Sequence, residues 1–434
     1  MQKNKLIKNT FLLVLGGLIT KILGFIIKIL YTRILKEDGV SLITLIFPTY
    51  SLLLTISSFA LPIAVTKYIA ESKERKSKIL FNSFWITLFI NTIIIILFIF
   101  IAKPFSVYLL RDQRCTYLIK ILCLTLPFVS ITSLIKAYFF GREHVIPIIF
   151  SNISEEIIKL ILIILFLPNM MNKGTIIGTI FYLFINLICE IISFFTLSIF
   201  LPKKIKLKNM NYHYNKDISN NLLKTSIPTL SGKIIGNIGY FFEPIILTNL
   251  LMYKKVNPSY IRLNYGYFQG YVIAILTLPS FFLLALSNSI IPIISKLKIN
   301  KHYSEIKKVI KKCILITLFG GILYTFTLFL YGEKIMYILY NTTSGINYLK
   351  LLLPFFILFY LENPIISIML SLDLEKYTFK ITTIGIIIKY FSLAILIMLN
   401  QGFLSLIYSE IINIIFVVSL SIYYLRKFFS CPSQ

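Results

Sequence analysis

Charged side chains are scarce in this sequence. They make up 14% of its 434 residues, where an ordinary soluble domain carries about a quarter. Acids are the scarcer sign, 17 Asp and Glu against 44 Lys and Arg, and there are three His and a single Trp. A chain that is 57% hydrophobic, with mean hydropathy +0.84, has too little polar surface to cover a water-soluble globule, which excludes the soluble enzyme classes. Five cysteines, at 115, 123, 189, 313 and 431, are an odd number. They show no CxxC or Cys/His spacing, so no disulfide framework, metal site or cofactor is expected. The closing Cys431-Pro-Ser-Gln lacks the aliphatic pair of a prenylation box. HExxH, GxSxG, a phosphate-binding glycine loop and paired loop carboxylates are all missing, and the outward connections are short, so no enzyme is expected.

What is present is apolar sequence in blocks of about 20–30 residues, the length that crosses roughly 30 Å of hydrocarbon as helix. The blocks predict about twelve spans: 9–33, 41–65, 79–102, 116–140, 146–168, 174–201, 222–251, 264–293, 311–332, 348–371, 378–399 and 402–425. The basic start, Met1 to Lys8, resembles a secretory signal. Lys21 and Lys28 interrupt the apolar stretch behind it and no small-x-small site follows, so it reads as an uncleaved first span.

With the N-terminus inside, the tails and even-numbered connections hold 26 Lys and Arg against 11 in the odd-numbered ones, and 7 lie within spans. That bias places both termini in the cytoplasm. Lys73-Glu74-Arg75-Lys76 and Lys307-Lys308 with Lys311-Lys312 carry much of it, and read as anchors against anionic lipid. No soluble segment is long enough to form the folded basic surface that nucleic acid needs.

The two halves repeat. Shifted by 212 residues, Lys21-Ile-Leu-Gly24 falls on Lys233-Ile-Ile-Gly236. Gly17, Lys21, Gly24, Lys28 and Tyr31 form one helical stripe in the first span. Thr229, Lys233, Gly236, Tyr240 and Glu243 keep the same register in the seventh. The second and eighth spans both end in Pro, then a hydroxyl and a Lys (Pro62, Thr66-Lys67; Pro292, Ser295-Lys296). The fifth and eleventh carry deep lysines, Lys159 and Lys389. Six helices separate equivalents, so the halves share one membrane orientation, an arrangement known among transporters. The expected organisation is an N-terminal six-helix lobe over 1–201, a basic cytoplasmic linker over 202–221, and a C-terminal six-helix lobe with a short tail over 222–434.

Intramembrane charges normally face a partner or a wet cavity. Lys21, Lys28 and Lys233 would form a cationic wall suited to phosphate or pyrophosphate. Alternatively, the first two lysines snorkel or pair with Glu243 or Glu362. Arg142, Glu155 and Lys159 form a second constellation, in which Glu155 and Lys159 are spaced to pair within one helix. Glu190 and Glu410 lie deep in the final span of each half, as coupling or structural carboxylates.

Three segments resemble the stage V sporulation protein B and lipid II flippase group of the multidrug/oligosaccharidyl-lipid/polysaccharide exporter superfamily. They are Thr20-Lys21-Ile-Leu-Gly24-Phe25 with Arg33-Ile-Leu, Leu61-Pro62-Ile-Ala64-Val-Thr66-Lys67 with Ala70-Glu71, and Tyr138-Phe-Phe-Gly141-Arg142 with Pro147, Ser151-Asn152, Glu155 and Lys159. The resemblance implies an all-α polytopic membrane protein, two pseudo-symmetric six-helix bundles around a central cavity, in a bacterial cytoplasmic membrane. It implies that basic cavity residues fall at Lys21, Arg142 and Lys159, with Lys replacing Arg at the first and last. Members commonly have fourteen spans, two more than expected here. The implied activity is movement of an undecaprenyl-linked sugar or peptidoglycan precursor across the membrane by alternating access, in cell-wall or spore-cortex synthesis. A cation-coupled drug antiporter and a non-transporting partner of the cell-wall synthesis machinery are the alternatives.

Overall fold

The computed structural model describes residues 2–72, 76–202 and 215–430, and every element in them is helical. Lys73, Glu74 and Arg75, most of the basic linker (Lys203, Lys204, Lys206, Lys208) and Cys431 lie outside the described residues. Helix is what the composition demands, because a backbone in hydrocarbon must satisfy its own N–H and C=O groups. The helices are α1 (Gln2–Ser58), α2 (Leu61–Glu71), α3 (Lys76–Pro104), α4 (Cys115–Gly141), α5 (Ile146–Met171), α6 (Thr175–Ile199) and α7 (Lys216–Tyr253). Then follow α8 (Pro258–Gly266), α9 (Ile273–Leu276), α10 (Ser280–Ile299), α11 (Tyr303–Tyr340), α12 (Ile346–Ser371), α13 (Glu375–Met398) and α14 (Leu404–Ser430).

Ten helices among the described residues are long and apolar enough to cross a membrane. One of them, Leu15–Glu71, holds the first two expected spans, divided at Lys36, whose φ of 54° and ψ of −174° break the helical run. The fifth expected span is α5, set apart from the ten by Glu155, Glu156 and Lys159 within its 26 residues. The chain is a multi-pass membrane protein.

It divides into two compact units, Met1–Phe242 and Glu243–Gln434. In the first, small polar side chains join helices through buried hydrogen bonds. Ser57 of α1 donates to Asn91 Oδ1 of α3 at 2.7 Å and also meets the Ser130 hydroxyl of α4. Ser151 of α5 meets Ser193 of α6 at 2.8 Å. Such contacts between membrane helices contribute about 0.6 kcal/mol each. The first part of α7 belongs to this unit. Asn237 accepts from Ser51 Oγ at 2.8 Å and donates to Thr55 Oγ1 at 2.9 Å.

The second expected span is not one continuous helix. Phe59 and Ala60 take left-handed conformations, φ 49° and 51°, and α2 restarts beyond them with Pro62 in its first turn. The eighth is interrupted too, at Thr277–Pro279 between α9 and α10. Here the cause is visible. Pro279 has no N–H for the Ile275 carbonyl, and Tyr324 of α11 donates to that oxygen at 2.8 Å. Tyr360 of α12 donates to the Leu276 carbonyl, also at 2.8 Å. Pro62 with Thr66-Lys67, and Pro292 with Ser295-Lys296, lie on the second piece of their broken spans.

Candidate functional site: intramembrane charge networks

In the first unit, α4, α5 and α6 bring a group of charges together. Lys136 Nζ of α4 stands 3.9 Å from Glu155 Oε2 of α5. Glu156 interacts electrostatically with Lys159, Glu155, Lys21 and Lys136. Glu190 of α6 interacts with Glu155, Lys136, Lys159 and Glu156. Lys21 joins through Glu156, whose Oε1 would lie 3.8 Å from a β-carbon at Gly24 on the Lys21 stripe. Three cations thus face three carboxylates. The expected pairing of Glu155 with Lys159 inside α5 does not form. Glu155 reaches across to Lys136 instead, because α4 offers a second cation at the depth where α5 carries its acids.

The remaining basic candidates of this unit are not part of that group. Arg142, exposed just past the end of α4, donates to Tyr138 Oη at 2.8 Å, and its guanidinium carbon lies 5.6 Å from that ring's centroid. Lys28 is half-buried one stripe position beyond Gly24, and Lys233 is exposed on α7. No carboxylate among the described residues pairs with Lys28, Arg142 or Lys233.

The second unit holds a tighter arrangement. Glu243, 2% exposed, sits on α7. Its Oε2 is 2.6 Å from Lys389 Nζ of α13, and the same ammonium is 2.6 Å from Glu410 Oε2 of α14. Glu243 Oε1 accepts from Tyr265 Oη at 3.0 Å and from Gln269 Nε2 at 2.7 Å. Glu362 of α12 interacts electrostatically with Glu410. Glu243, Lys389 and Glu410 each have an opposite neighbour and Glu243 has two further donors, the condition under which burying ions is tolerable. Glu243 therefore has its cation partner, Lys389, within its own unit. Sequence reasoning placed Lys389 deep in its span but gave it no partner. The signal was there: a Lys in the fifth and eleventh spans, each followed by a Glu in the next, Lys159 with Glu190 and Lys389 with Glu410.

The described residues thus form an all-helical, multi-pass membrane fold with charge networks inside its helix bundles. The chain belongs to the family described as polysaccharide biosynthesis proteins, which it matches over residues 6–298. It is 27% identical over 400 residues to stage V sporulation protein B of Bacillus subtilis (strain 168), covering 90% of this chain and 77% of that one. It is 22% identical over 438 residues to lipid II flippase MurJ of the same organism, covering 89% and 76%. Among solved structures, an inward-facing multidrug resistance MATE family transporter of the MOP superfamily is similar with TM-score 0.76 at 12% identity, over 95% of each chain. The chain shares the fold of that transporter.

Proposed function

We propose that the protein is a flippase. It carries a lipid-linked oligosaccharide or peptidoglycan precursor from the inner to the outer leaflet of a bacterial cytoplasmic membrane by alternating access, with both termini cytoplasmic. Alternating access would move two helical lobes, expected from the sequence at 1–201 and 222–434, whose change of unit falls at Phe242–Glu243 inside α7. The observation that carries the reading is that Lys28, Arg142 and Lys233 have no carboxylate partner among the described residues. A cation held in or beside a membrane span without an acid calls for an anion from elsewhere, and the pyrophosphate of an undecaprenyl-linked sugar supplies one. Lys21 and Lys159 complete the cationic set, each tempered by neighbouring carboxylates. Glu155, Glu190, Glu243 and Glu410 either couple transport to a cation or hold the helices together. A cation-coupled drug antiporter fits less well, because Glu243 and Glu410 are already engaged by Lys389. The resemblance to stage V sporulation protein B favours work beside the cell-wall synthesis machinery during sporulation.

The test is flipping of a defined undecaprenyl-pyrophosphate-linked sugar in reconstituted vesicles. Removing one charge-assisted contact costs about 1.5–3 kcal/mol, roughly one to two decades in affinity. Lys21→Ala is expected to slow flipping while the protein still inserts, and Lys21→Glu to slow it further. Normal flipping by Lys21→Glu at normal expression would overturn the cationic mechanism.

A further inference from the structure

The second unit carries a groove of about 760 Å³ between α11, α12 and α14. Its floor is Leu361 and Ile365 of α12, and its walls include Ile314 and Leu318 of α11 and Ile422 and Leu425 of α14. The lining changes character along its length. Lys307 and Lys311 from the start of α11 and Arg426 from the end of α14 also line it. Lys307 Nζ lies 5.5 Å from the centroid of the Phe429 ring, so these two helix ends meet. All three cations are exposed, and no carboxylate among the described residues pairs with any of them.

The groove is therefore cationic at one end and apolar along the rest. From Lys307 to Leu318 the helix rises about 16 Å, close to half of the roughly 30 Å hydrocarbon thickness. That is the depth of one leaflet. The basic end lies on the face where the positive-charge bias places the cytoplasm.

We propose that this groove is a binding site for an anionic phospholipid of that leaflet, its phosphate held by Lys307, Lys311 and Arg426 and its acyl chain laid along α11 and α14. Charge complementarity selects an anionic head over a zwitterionic one, and the one-leaflet depth selects an ordinary phospholipid. The site is separate from the candidate substrate cations of the first unit, and the inference does not rest on the flippase reading.

Native mass spectrometry of the purified full chain, titrated with phosphatidylglycerol or phosphatidylcholine, tests it. Two double variants remove equal charge from the same helix: Lys307→Gln with Lys311→Gln inside the groove, and Lys308→Gln with Lys312→Gln outside its lining. The first pair is expected to weaken phosphatidylglycerol binding roughly 30-fold, and the second to change it less than about threefold. Ile314→Trp with Leu318→Trp, which fills the groove at constant charge, is expected to abolish the bound lipid. Equal losses in the two lysine pairs would overturn the site in favour of diffuse surface attraction. Equal binding of the two phospholipids would overturn the role of the cations. A doubled mass in place of bound lipid would make the groove an interface between copies, and preferential retention of an undecaprenyl-pyrophosphate lipid would make it a substrate site. Either result ends the proposal.

Discussion

Gly141 and Thr66 are in backbone contact: a β-carbon at 141 would stand 2.7 Å from the Thr66 carbonyl oxygen and 3.0 Å from Ile69 Cβ. Thr66 Oγ1 lies 3.3 Å from the Ala137 carbonyl one turn earlier, so the end of α4 and the face of α2 are locked together. A backbone oxygen cannot swing aside. Gly141→Ala is expected to destabilise the protein by about 1–3 kcal/mol, read as a lower unfolding temperature in detergent. Gly17→Ala, with nothing within 4 Å of its added carbon, is the comparison and should leave that temperature unchanged or slightly raised.

The ammonium between Glu243 and Glu410 is the larger investment of the second unit. Lys389→Met leaves two buried carboxylates facing each other, and breaking a buried pair in this way costs about 3–5 kcal/mol. The triple variant Glu243→Gln, Lys389→Met, Glu410→Gln removes every charge and should recover most of that loss. If the triple variant is as unstable as the single one, packing rather than charge balance governs this site.

Asn237 ties α7 to α1 through Ser51 and Thr55. Asn237→Ala removes both bonds, worth about 1–3 kcal/mol together. Hydrogen exchange should then quicken over residues 216–242 and stay unchanged in α13 and α14. Uniform acceleration would mean that the whole fold had loosened.

The distribution of basic residues sets a topological expectation. A cysteine introduced at Lys206 should resist a membrane-impermeant reagent in intact cells and react once the membrane is opened. Labelling in intact cells would invert the assignment.

Much of this was legible in the sequence, and for a plain reason: hydrocarbon imposes length and hydropathy on each span, so the helices could be read as blocks. The segments Leu61–Glu71 and Tyr138–Arg142, singled out separately by their residues, prove to be the pair that meets at Thr66 and Gly141. The helix breaks were less visible. Proline at 279 gives a local cause for one, and Pro62 marks the restart of the other, but Phe59 and Ala60 themselves carry no local preference for left-handed backbone. The charge pairing was misread where only local spacing was used. An i, i+4 pair within a helix is worth a few tenths of a kcal/mol, too little to keep Glu155 on Lys159 when Lys136 approaches from α4. Lys389 illustrates the same limit: its depth could be counted along the chain, but its two partners come from α7 and α14.

The division between the two units falls inside a single helix. Residues up to Phe242 belong to the first unit and Glu243 opens the second, and Pro244, which has no N–H to give the helical ladder, follows at once. Within the first unit α7 is tied to α1 through Asn237, and within the second its last part is tied to α13 through Glu243. The residue that opens the second unit is thus a carboxylate held by Lys389, next to a turn where the ladder lacks a donor.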